Sequence, residues 1–217
     1  WHDGKPLEFT GKFYTHTLMT PFFTPTDCDY GAPKVFLAAV GPRMTEVAGE
    51  VADGMIAHAF TTETYLRNTT LPALERGFAK VGKRREDFDI SYPVFVVTGQ
   101  NEEELEGAKV ATARQIAFYG STPSYAAVLE YHDLGNLPQR LNKLMREGNV
   151  TAMGSAIPES FLEAVAIIAK PDEIGPRIRE RYNGLLDRVS LYASMGGEGG
   201  FKRWTDLIGA VHANGER

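Results

Sequence analysis

The sequence is short of cysteine and of long apolar runs, and both shortages narrow the class of protein. It contains one cysteine, Cys28, among 217 residues, which excludes an intramolecular disulfide and disfavours a cysteine-based metal site. Such sparse cysteine is typical of a reducing compartment, so we expect a cytoplasmic protein. No apolar run approaches the roughly 18 residues of a membrane-spanning helix, so we expect no membrane partner.

Basic residues are too few and too scattered for a nucleic-acid surface. Lysine and arginine total 23 against 28 aspartate and glutamate residues, which gives a net charge of −5. A surface that follows a phosphate backbone needs clustered positive charge, and the sequence contains no such cluster. We therefore expect a small-molecule substrate and no nucleic-acid partner.

Several catalytic motifs are absent as well. No G-x-G-x-x-G follows an apolar run, so the dinucleotide-binding fingerprint is missing, and neither H-E-x-x-H nor G-x-S-x-G occurs. With Cys28 alone, no cysteine–histidine pair is at hand for nucleophilic catalysis. These absences argue against a metal site and leave no catalytic acid or base that the sequence assigns.

What the sequence does contain is an alternation of apolar strands and amphipathic helices. The segment PKVFLAAVGPRMTEVAGEVADGMIAHAF, residues 33–60, holds two apolar runs, VFLAAV and MIAHAF, which are typical of parallel strands buried on both faces. Gly41 ends the first run, and Pro42 suits the first turn of a helix. The residues that follow are apolar at helical spacing, and we expect Gly54 to end that helix in the left-handed conformation.

The rest of the chain continues this pattern. The predicted buried strands are Val35–Val40, Gly54–Phe60, Ile90–Thr98 and Arg188–Ser194. A surface hairpin precedes them, and one long helical tract is predicted from Glu102 to about Tyr182. Pro72 should bend or divide the helix between the second and third strands. Four parallel strands with covering helices fit either a doubly wound sheet or half of a (β/α)₈ barrel.

Two places stand out because ligands bind beyond the carboxyl ends of the strands in both architectures. Gly41 and Pro42 follow the first strand, where the backbone can approach a ligand and the free N–H groups of a helix favour an anion. A tight turn alone would explain the same two residues. At the end of the second strand, His58 is either a polar ligand contact or a satisfied core histidine, and Thr61 and Thr62 either cap a helix or bind phosphate.

Two further stretches are weaker candidates. Gly196–Gly200 lies after the last predicted strand, where barrels often hold phosphate, but a flexible run near a terminus is more typical of a linker. The aromatic segment IAFYGSTPSYAAVLEYHD, residues 116–133, is interrupted by Gly-Ser-Thr-Pro. Part of this segment could therefore form the wall of a pocket.

Several of these segments together resemble the luciferase-like monooxygenase superfamily, in particular its branch of F420-dependent oxidoreductases. The resemblance rests on residues 33–58, on FYGSTPSYAAVLEYHDLG, on AIPESFLEAVAIIAKPDEIGPRIRERYNGLLDRVSLYA and on LEFTGKFYTHTLMTP. It implies an α/β fold, the C-terminal part of a luciferase-like (β/α)₈ TIM barrel, in which the predicted strands are strands five to eight. Residues 99–187 would then form a helical insertion between the seventh and eighth strands.

The same resemblance implies that the N-terminal strands, one to four, are missing. The chain enters at Trp1 in what resembles the middle of a domain, so we expect residues 1–217 to be one partial barrel domain. Open sheet edges tend to pair with another chain, which makes a homodimer a candidate assembly.

The resemblance also implies a cofactor and its contacts. The cofactor would be coenzyme F420. The residues implied to contact it are Ala38, Ala39, Gly41, Pro42, His58, Thr61 and Thr62. The backbone around the first four would line the coenzyme, and the last three would face its phosphate-bearing tail. Some members of the branch carry threonine in place of His58 and lysine in place of Thr61, so this sequence lacks a fixed positive charge there.

The function implied is an oxidoreductase that uses F420 for hydride transfer to or from a small organic substrate. Two alternatives remain at this point. One is an FMN-dependent monooxygenase of the same superfamily, which the absorbance of the bound cofactor would distinguish. The other is a non-catalytic barrel remnant that keeps the fold without turnover.

Overall fold

A computed structural model describes residues 4–24, 30–193 and 200–212 of the chain. Cys28 and Gly196–Gly199, the greater part of the candidate glycine run, lie outside these residues. The chain divides into two compact units, residues 1–35 and residues 36–217. In the first unit, strand β1 (Phe9–Thr10) pairs antiparallel with β2 (Thr15–His16), which confirms the predicted hairpin.

The second unit is built on a five-stranded sheet in which every pairing is parallel. Its strands are β3 (Phe36–Ala39), β4 (Gly54–Ala57), β5 (Asp89–Val97), β6 (Ala166–Ile168) and β7 (Arg188–Tyr192). Strand β5 is central, because it pairs with β4 at its start, with β7 along its middle and with β6 at its carboxyl end. Three of the predicted strands are confirmed with shorter bounds, and the one predicted at Ile90–Thr98 is confirmed one residue earlier, at Asp89–Val97.

Ten helices accompany the strands in the described part of the chain. They are α1 (Pro42–Val51), α2 (Glu63–Tyr65), α3 (Leu71–Val81), α4 (Glu102–Gly120), α5 (Ala126–Tyr131), α6 (Leu137–Arg146), α7 (Val150–Ser155), α8 (Glu159–Val165), α9 (Pro171–Tyr182) and α10 (Gly200–His212). No helix within the described ranges is both long and apolar enough to cross a membrane.

The β3–α1–β4 unit forms much as the sequence predicts, with one correction at its end. Pro42 occupies the first turn of α1, as predicted. The helix ends at Val51 because the backbone of Ala52 is extended, and Gly54 does not have a positive φ. A Cβ on Gly54 would lie 2.4 Å from the ring of Phe36 and 2.7 Å from the carbonyl oxygen of Asp89. Gly54 is therefore needed for close strand packing and not for a left-handed helix end.

The predicted helical tract from Glu102 to Tyr182 is wrong at one point. Ala166–Ile168 is not helical but forms β6, which pairs with Phe95–Val97. Its apolar residues continue the pattern of the preceding helix, so periodicity alone does not separate them from it. Pairing with the end of β5 buries Ala166 and Ile167, and this tertiary contact overrides the local helical signal.

The chain stays helical from Glu63 to Val81, so Pro72 is accompanied by a π-helical turn and does not divide the helix. The five residues before α3, Leu66–Thr70, form a π-helical turn between α2 and α3. Proline has no N–H for the helical ladder and its ring displaces the preceding carbonyl groups, and a π-bulge is a common way to absorb that change.

The two faces of the sheet lie in different hydrophobic cores. On the outer face, Tyr92, Val94 and Val96 pack in a core that includes residues of α1, α3 and α9. On the inner face, Phe95 and Val97 pack in a second core with residues of α4–α8. The helices after β5 therefore cover the inner face near the carboxyl ends of the strands, where ligands bind in parallel α/β folds.

Candidate functional site

A cleft at the carboxyl ends of β3 and β4 brings most of the predicted site residues together. Ala39, Gly41, Pro42, His58 and Thr61 all line it, and its free volume is about 40 Å³. Ala38 and Thr62 are not among its lining residues. Ala38 is exposed, next to the buried Ala39 in β3.

Gly41 shapes the β3 side of the cleft through its backbone conformation. It has φ 76° and ψ 157° and precedes α1 without a side-chain cap, in a region of conformational space that is essentially restricted to glycine. The Thr45 hydroxyl donates to the Gly41 carbonyl oxygen at 2.9 Å, and the Thr45 N–H donates to the same oxygen at 3.1 Å. A Cβ on Gly41 would meet no other atom within 4 Å, so the space beside it is open to a ligand.

The first turn of α1 is electrostatically suited to an anion. It contains no acidic residue, and the free N–H groups at a helix start carry partial positive charge. Arg43 is exposed in this turn. The turn therefore supplies positive potential next to Gly41, although no lysine occupies position 61.

His58 is held in one tautomer by its surroundings. The Phe60 N–H donates to His58 Nδ1 at 3.0 Å, so in the neutral ring the hydrogen is on Nε2. The ring stacks on Tyr125 at 4.5 Å and contacts the edge of Tyr119 at 4.8 Å. Burial lowers the pKa of His58. Within the described ranges no hydrogen bond to Nε2 is found, so this N–H is open to a ligand at the cleft.

Thr61 adds a second polar group without a partner. The residue is 6% exposed, and its Oγ1 is buried without a hydrogen bond to any described residue. A buried hydroxyl without a partner is destabilising, and Thr61 lines the cleft. A polar ligand atom in the cleft would satisfy it.

Thr62 instead stabilises the start of α2. Its Oγ1 accepts from the Tyr65 N–H at 3.2 Å and is 2.8 Å from His132 Nε2. The residue is therefore the N-cap of α2, one of the two interpretations that the sequence allows. With these partners the hydroxyl has little remaining capacity for phosphate.

The opposite wall of the cleft comes from the segment that the sequence singled out as aromatic. Ser124, Ala127 and Val128 line the cleft, and Tyr125 covers the His58 ring. Thr69 and Thr70 of the π-helical turn also line it, and sequence reasoning missed them. The proline at position 72 was the only signal near them, and it indicates a helix break, not a binding role.

Acidification should weaken the fold through His58, and we expect this effect as a first test of its environment. The folded-state pKa is lowered, so below the ordinary value of about 6.5 the unfolded chain binds more protons and the free energy of unfolding falls as pH falls. Protonation also turns Nδ1 into a donor, which cannot accept from the Phe60 N–H.

The matched variant is His58→Asn, because an asparagine oxygen can accept from the N–H two residues later without titrating. Urea denaturation between pH 5 and pH 8 should show a smaller acid-side loss in this variant than in the wild type. Identical pH profiles would contradict the assignment. His132, whose pKa burial also lowers, remains in both proteins and cancels in the comparison.

Comparison with protein families gives one match that covers most of the chain. The family model described as luciferase-like monooxygenase matches residues 1–188. An uncharacterized protein of Mycobacterium tuberculosis (strain ATCC 25618 / H37Rv) is 47% identical over 189 residues, 87% of this chain and 56% of that relative. A 5,10-methylenetetrahydromethanopterin reductase of Archaeoglobus fulgidus is 24% identical over 213 residues, 95% of this chain and 60% of that enzyme.

Solved structures give a matching result for the fold. The coenzyme F420-dependent tetrahydromethanopterin reductase from Methanopyrus kandleri superposes with a TM-score of 0.72 at 22% identity, over 95% of this chain and 57% of that chain. An F420-dependent secondary alcohol dehydrogenase superposes with a TM-score of 0.65 at 17% identity, over 97% of this chain and 57% of that chain. The α/β fold with its parallel sheet therefore resembles that of luciferase-like barrel enzymes. The chain spans a little over half the length of these relatives.

Proposed function

Because the chain belongs to the luciferase-like monooxygenase family, we propose that it is an oxidoreductase that uses the deazaflavin coenzyme F420 for hydride transfer to or from a small organic substrate. Two proteins of similar structure, the tetrahydromethanopterin reductase and the secondary alcohol dehydrogenase, are F420-dependent. An F420-dependent glucose-6-phosphate dehydrogenase of Nakamurella multipartita is also 31% identical over 86 residues, 40% of this chain and 24% of that enzyme.

The observation that carries this proposal is the set of unsatisfied groups in one cleft. Gly41 has no side chain on its open side, Thr61 Oγ1 is buried without a described partner, and His58 Nε2–H is left free by the bond to Nδ1. A bound molecule with oxygen atoms on one side and a flat apolar part on the other would satisfy all three. These three groups therefore support a contact with the phosphate-bearing tail of a coenzyme.

Each residue then has a definite task. The backbone at Gly41 and the first turn of α1 attract the negative charge of the tail. His58 donates from Nε2, and its two tyrosine neighbours keep the ring in place and keep water away from it. Thr61 adds a hydrogen bond from inside the protein. When bound, F420 supplies the hydride chemistry, and the protein positions it against the substrate.

FMN is the second candidate cofactor, because the matching family model is that of luciferase-like monooxygenases. Both cofactors are ring systems with a phosphate-bearing tail, so the cleft residues alone do not distinguish them. The test must therefore offer both cofactors to the same protein.

We expect the full-length protein to bind F420 and to bind FMN more weakly. Titration followed by tryptophan or coenzyme fluorescence gives both dissociation constants. The substitution His58→Asn should raise the dissociation constant for F420 about tenfold. This factor corresponds to about 1.4 kcal/mol, the loss of one hydrogen bond to a charged group. His132→Asn is the control, because His132 Nε2 already bonds Thr62 Oγ1 and lies outside the cleft.

Either of two results would contradict the proposal. If FMN binds and F420 does not, the protein belongs with the flavin-dependent monooxygenases. If neither binds to the folded protein, the barrel without turnover is the better account. Equal loss of F420 affinity in the two histidine variants would remove His58 from the site and leave the cofactor assignment intact.

A further inference from the structure

A hydrogen-bonded pair of tyrosines lies on the inner face of the sheet, beside the cofactor cleft but outside it. Tyr192 is at the carboxyl end of β7, in register with Phe95 of β5, and the two rings stack at 4.7 Å. Tyr119 comes from α4 and contacts the His58 ring. The two phenolic oxygens are 2.9 Å apart. The pair therefore connects the end of β7 with the histidine of the cleft.

Gln115 completes the cluster. Its side-chain amide donates to the oxygen of Tyr192 and, at 3.4 Å, to that of Tyr119. Gln115 lies four residues before Tyr119, so both project from the same side of α4. The amide thereby fixes both phenolic oxygens as acceptors of its two hydrogens.

One of the two hydroxyl hydrogens of the tyrosine pair has no acceptor within the cluster. The two tyrosines carry two hydroxyl hydrogens, and the bond between them uses one. Gln115 takes up neither, because its amide nitrogen is a donor. The structure shows no acceptor for the second hydrogen within residues 4–24, 30–193 and 200–212. One hydroxyl of the pair is therefore free to donate to a molecule that is not part of the described chain.

The space next to the pair is suited to a small organic molecule. Tyr192 and Gln115 line a cleft with a free volume of about 290 Å³, together with Phe95, Thr98 and Ala193. Thr98 Oγ1 is buried without a hydrogen bond to a described residue. The lining is thus mainly apolar, with one spare donor from the tyrosine pair and one hydroxyl without a partner.

We propose that Tyr119 and Tyr192 form a substrate subsite that donates a hydrogen bond to an oxygen atom of the substrate, a carbonyl compound or the corresponding alcohol with an apolar body. This inference rests on the proposed function, since it places the substrate on the inner face beside the cofactor cleft. A hydrogen bond to that oxygen stabilises the negative charge that develops on it when a carbonyl carbon accepts hydride.

The ionisation of the pair fits this role. The hydrogen bond with Tyr119, followed by burial, raises the pKa of Tyr192. Near neutral pH the phenol therefore keeps its proton and remains a hydrogen-bond donor.

The test compares two probes of almost equal shape, cyclohexanone and methylenecyclohexane, which differ in the hydrogen-bonding oxygen. Their dissociation constants are measured by NMR titration of the full-length protein, with and without F420. Replacing both tyrosines, Tyr119→Phe with Tyr192→Phe, should lower the preference for the ketone about tenfold, the loss of roughly one hydrogen bond. Tyr131→Phe is the control, because its hydroxyl bonds Asn68 on the exposed side of α5.

Three results would overturn the subsite. They are an unchanged preference for the ketone in the folded double variant, an equal loss of that preference in Tyr131→Phe, and no ketone binding by the wild type. If the double variant does not fold, Tyr192→Phe takes its place, and a preference equal to that of the wild type overturns the proposal. A tenfold loss in a protein that does not bind F420 would keep the subsite and reject the proposed function.

Discussion

Replacing Gly77 by alanine should destabilise the protein by about 3 kcal/mol, the upper part of the usual range for overpacking. Gly77 lies where α3 crosses α1, and a Cβ there would be 2.1 Å from the Glu46 carbonyl oxygen and 2.9 Å from the Glu50 N–H nitrogen. These are backbone atoms, so rotating a side chain cannot relieve the clash. The helices would have to separate, which would open the buried contact between them.

The crossing is close on both sides, which is why the effect should be large. A Cβ on Gly49 of α1 would be 2.7 Å from the Leu74 carbonyl oxygen of α3. Ion pairs from Lys80 to Glu46 and Glu50, at 2.8 and 3.0 Å, flank the contact. Such exposed pairs contribute little to stability, so they cannot compensate for separated helices.

Gly107 of α4 is the matched control. It is also a glycine inside a helix, but a Cβ there would meet no atom within 4 Å. Gly107→Ala should therefore stabilise the protein by about 0.5–1 kcal/mol through helix propensity and loss of unfolded-state entropy. Urea denaturation of both variants measures the difference. If Gly77→Ala were neutral or stabilising like its control, the close crossing of α1 and α3 would be wrong.

Local signals in the sequence were sufficient for β3, α1 and β4 because each residue there favours the same structure. The continuous apolar run, Pro42 and the helical stripe are short-range features, and they specify the order of the elements and the side on which the cleft lies. The sequence could therefore place Gly41, His58 and Thr61 at one edge before any contact was known.

Contacts between distant residues were not readable in the same way. Nothing local indicates that Ala166–Ile168 pairs with β5, because an apolar triplet next to a helix fits both structures. The bond between Tyr119 and Tyr192 joins residues 73 positions apart. A tyrosine on a helix is usually part of a core, and only the register of β7 against β5 brings these two together.

Gly54 illustrates a case in which the residue was expected for a different reason. The sequence indicates a left-handed helix end, since glycine after a helix usually has that role. The structure instead requires the missing side chain because the Phe36 ring and the Asp89 carbonyl come too close. The need for glycine was predictable, but its cause depends on strands that meet only in the fold.

Gly41→Ala should weaken F420 binding by a factor of roughly 10 to 100, about 1.4 to 2.7 kcal/mol. With φ 76° and ψ 157°, alanine would be strained by about 1–3 kcal/mol, so the turn between β3 and α1 should change conformation. Such a change would move the first N–H groups of α1 away from the anion. If the turn did not change, the new methyl group would enter the open space beside Gly41. Both results reduce affinity.

Gly82→Ala is the control that separates a loss of fold stability from a loss of F420 affinity. Gly82 ends α3 with φ 69° and ψ 24°, and a Cβ there would also meet no atom within 4 Å. Gly82→Ala should therefore lower the melting temperature through left-handed strain of about 1 kcal/mol and leave F420 affinity unchanged, because Gly82 does not line the cleft. Fluorescence titration of both folded variants gives the comparison. The contradicting result would be a Gly41→Ala protein that behaves like the Gly82→Ala control, with lower stability and unchanged F420 affinity. Gly41 would then serve only the turn between β3 and α1, and the coenzyme would have to bind away from the start of α1.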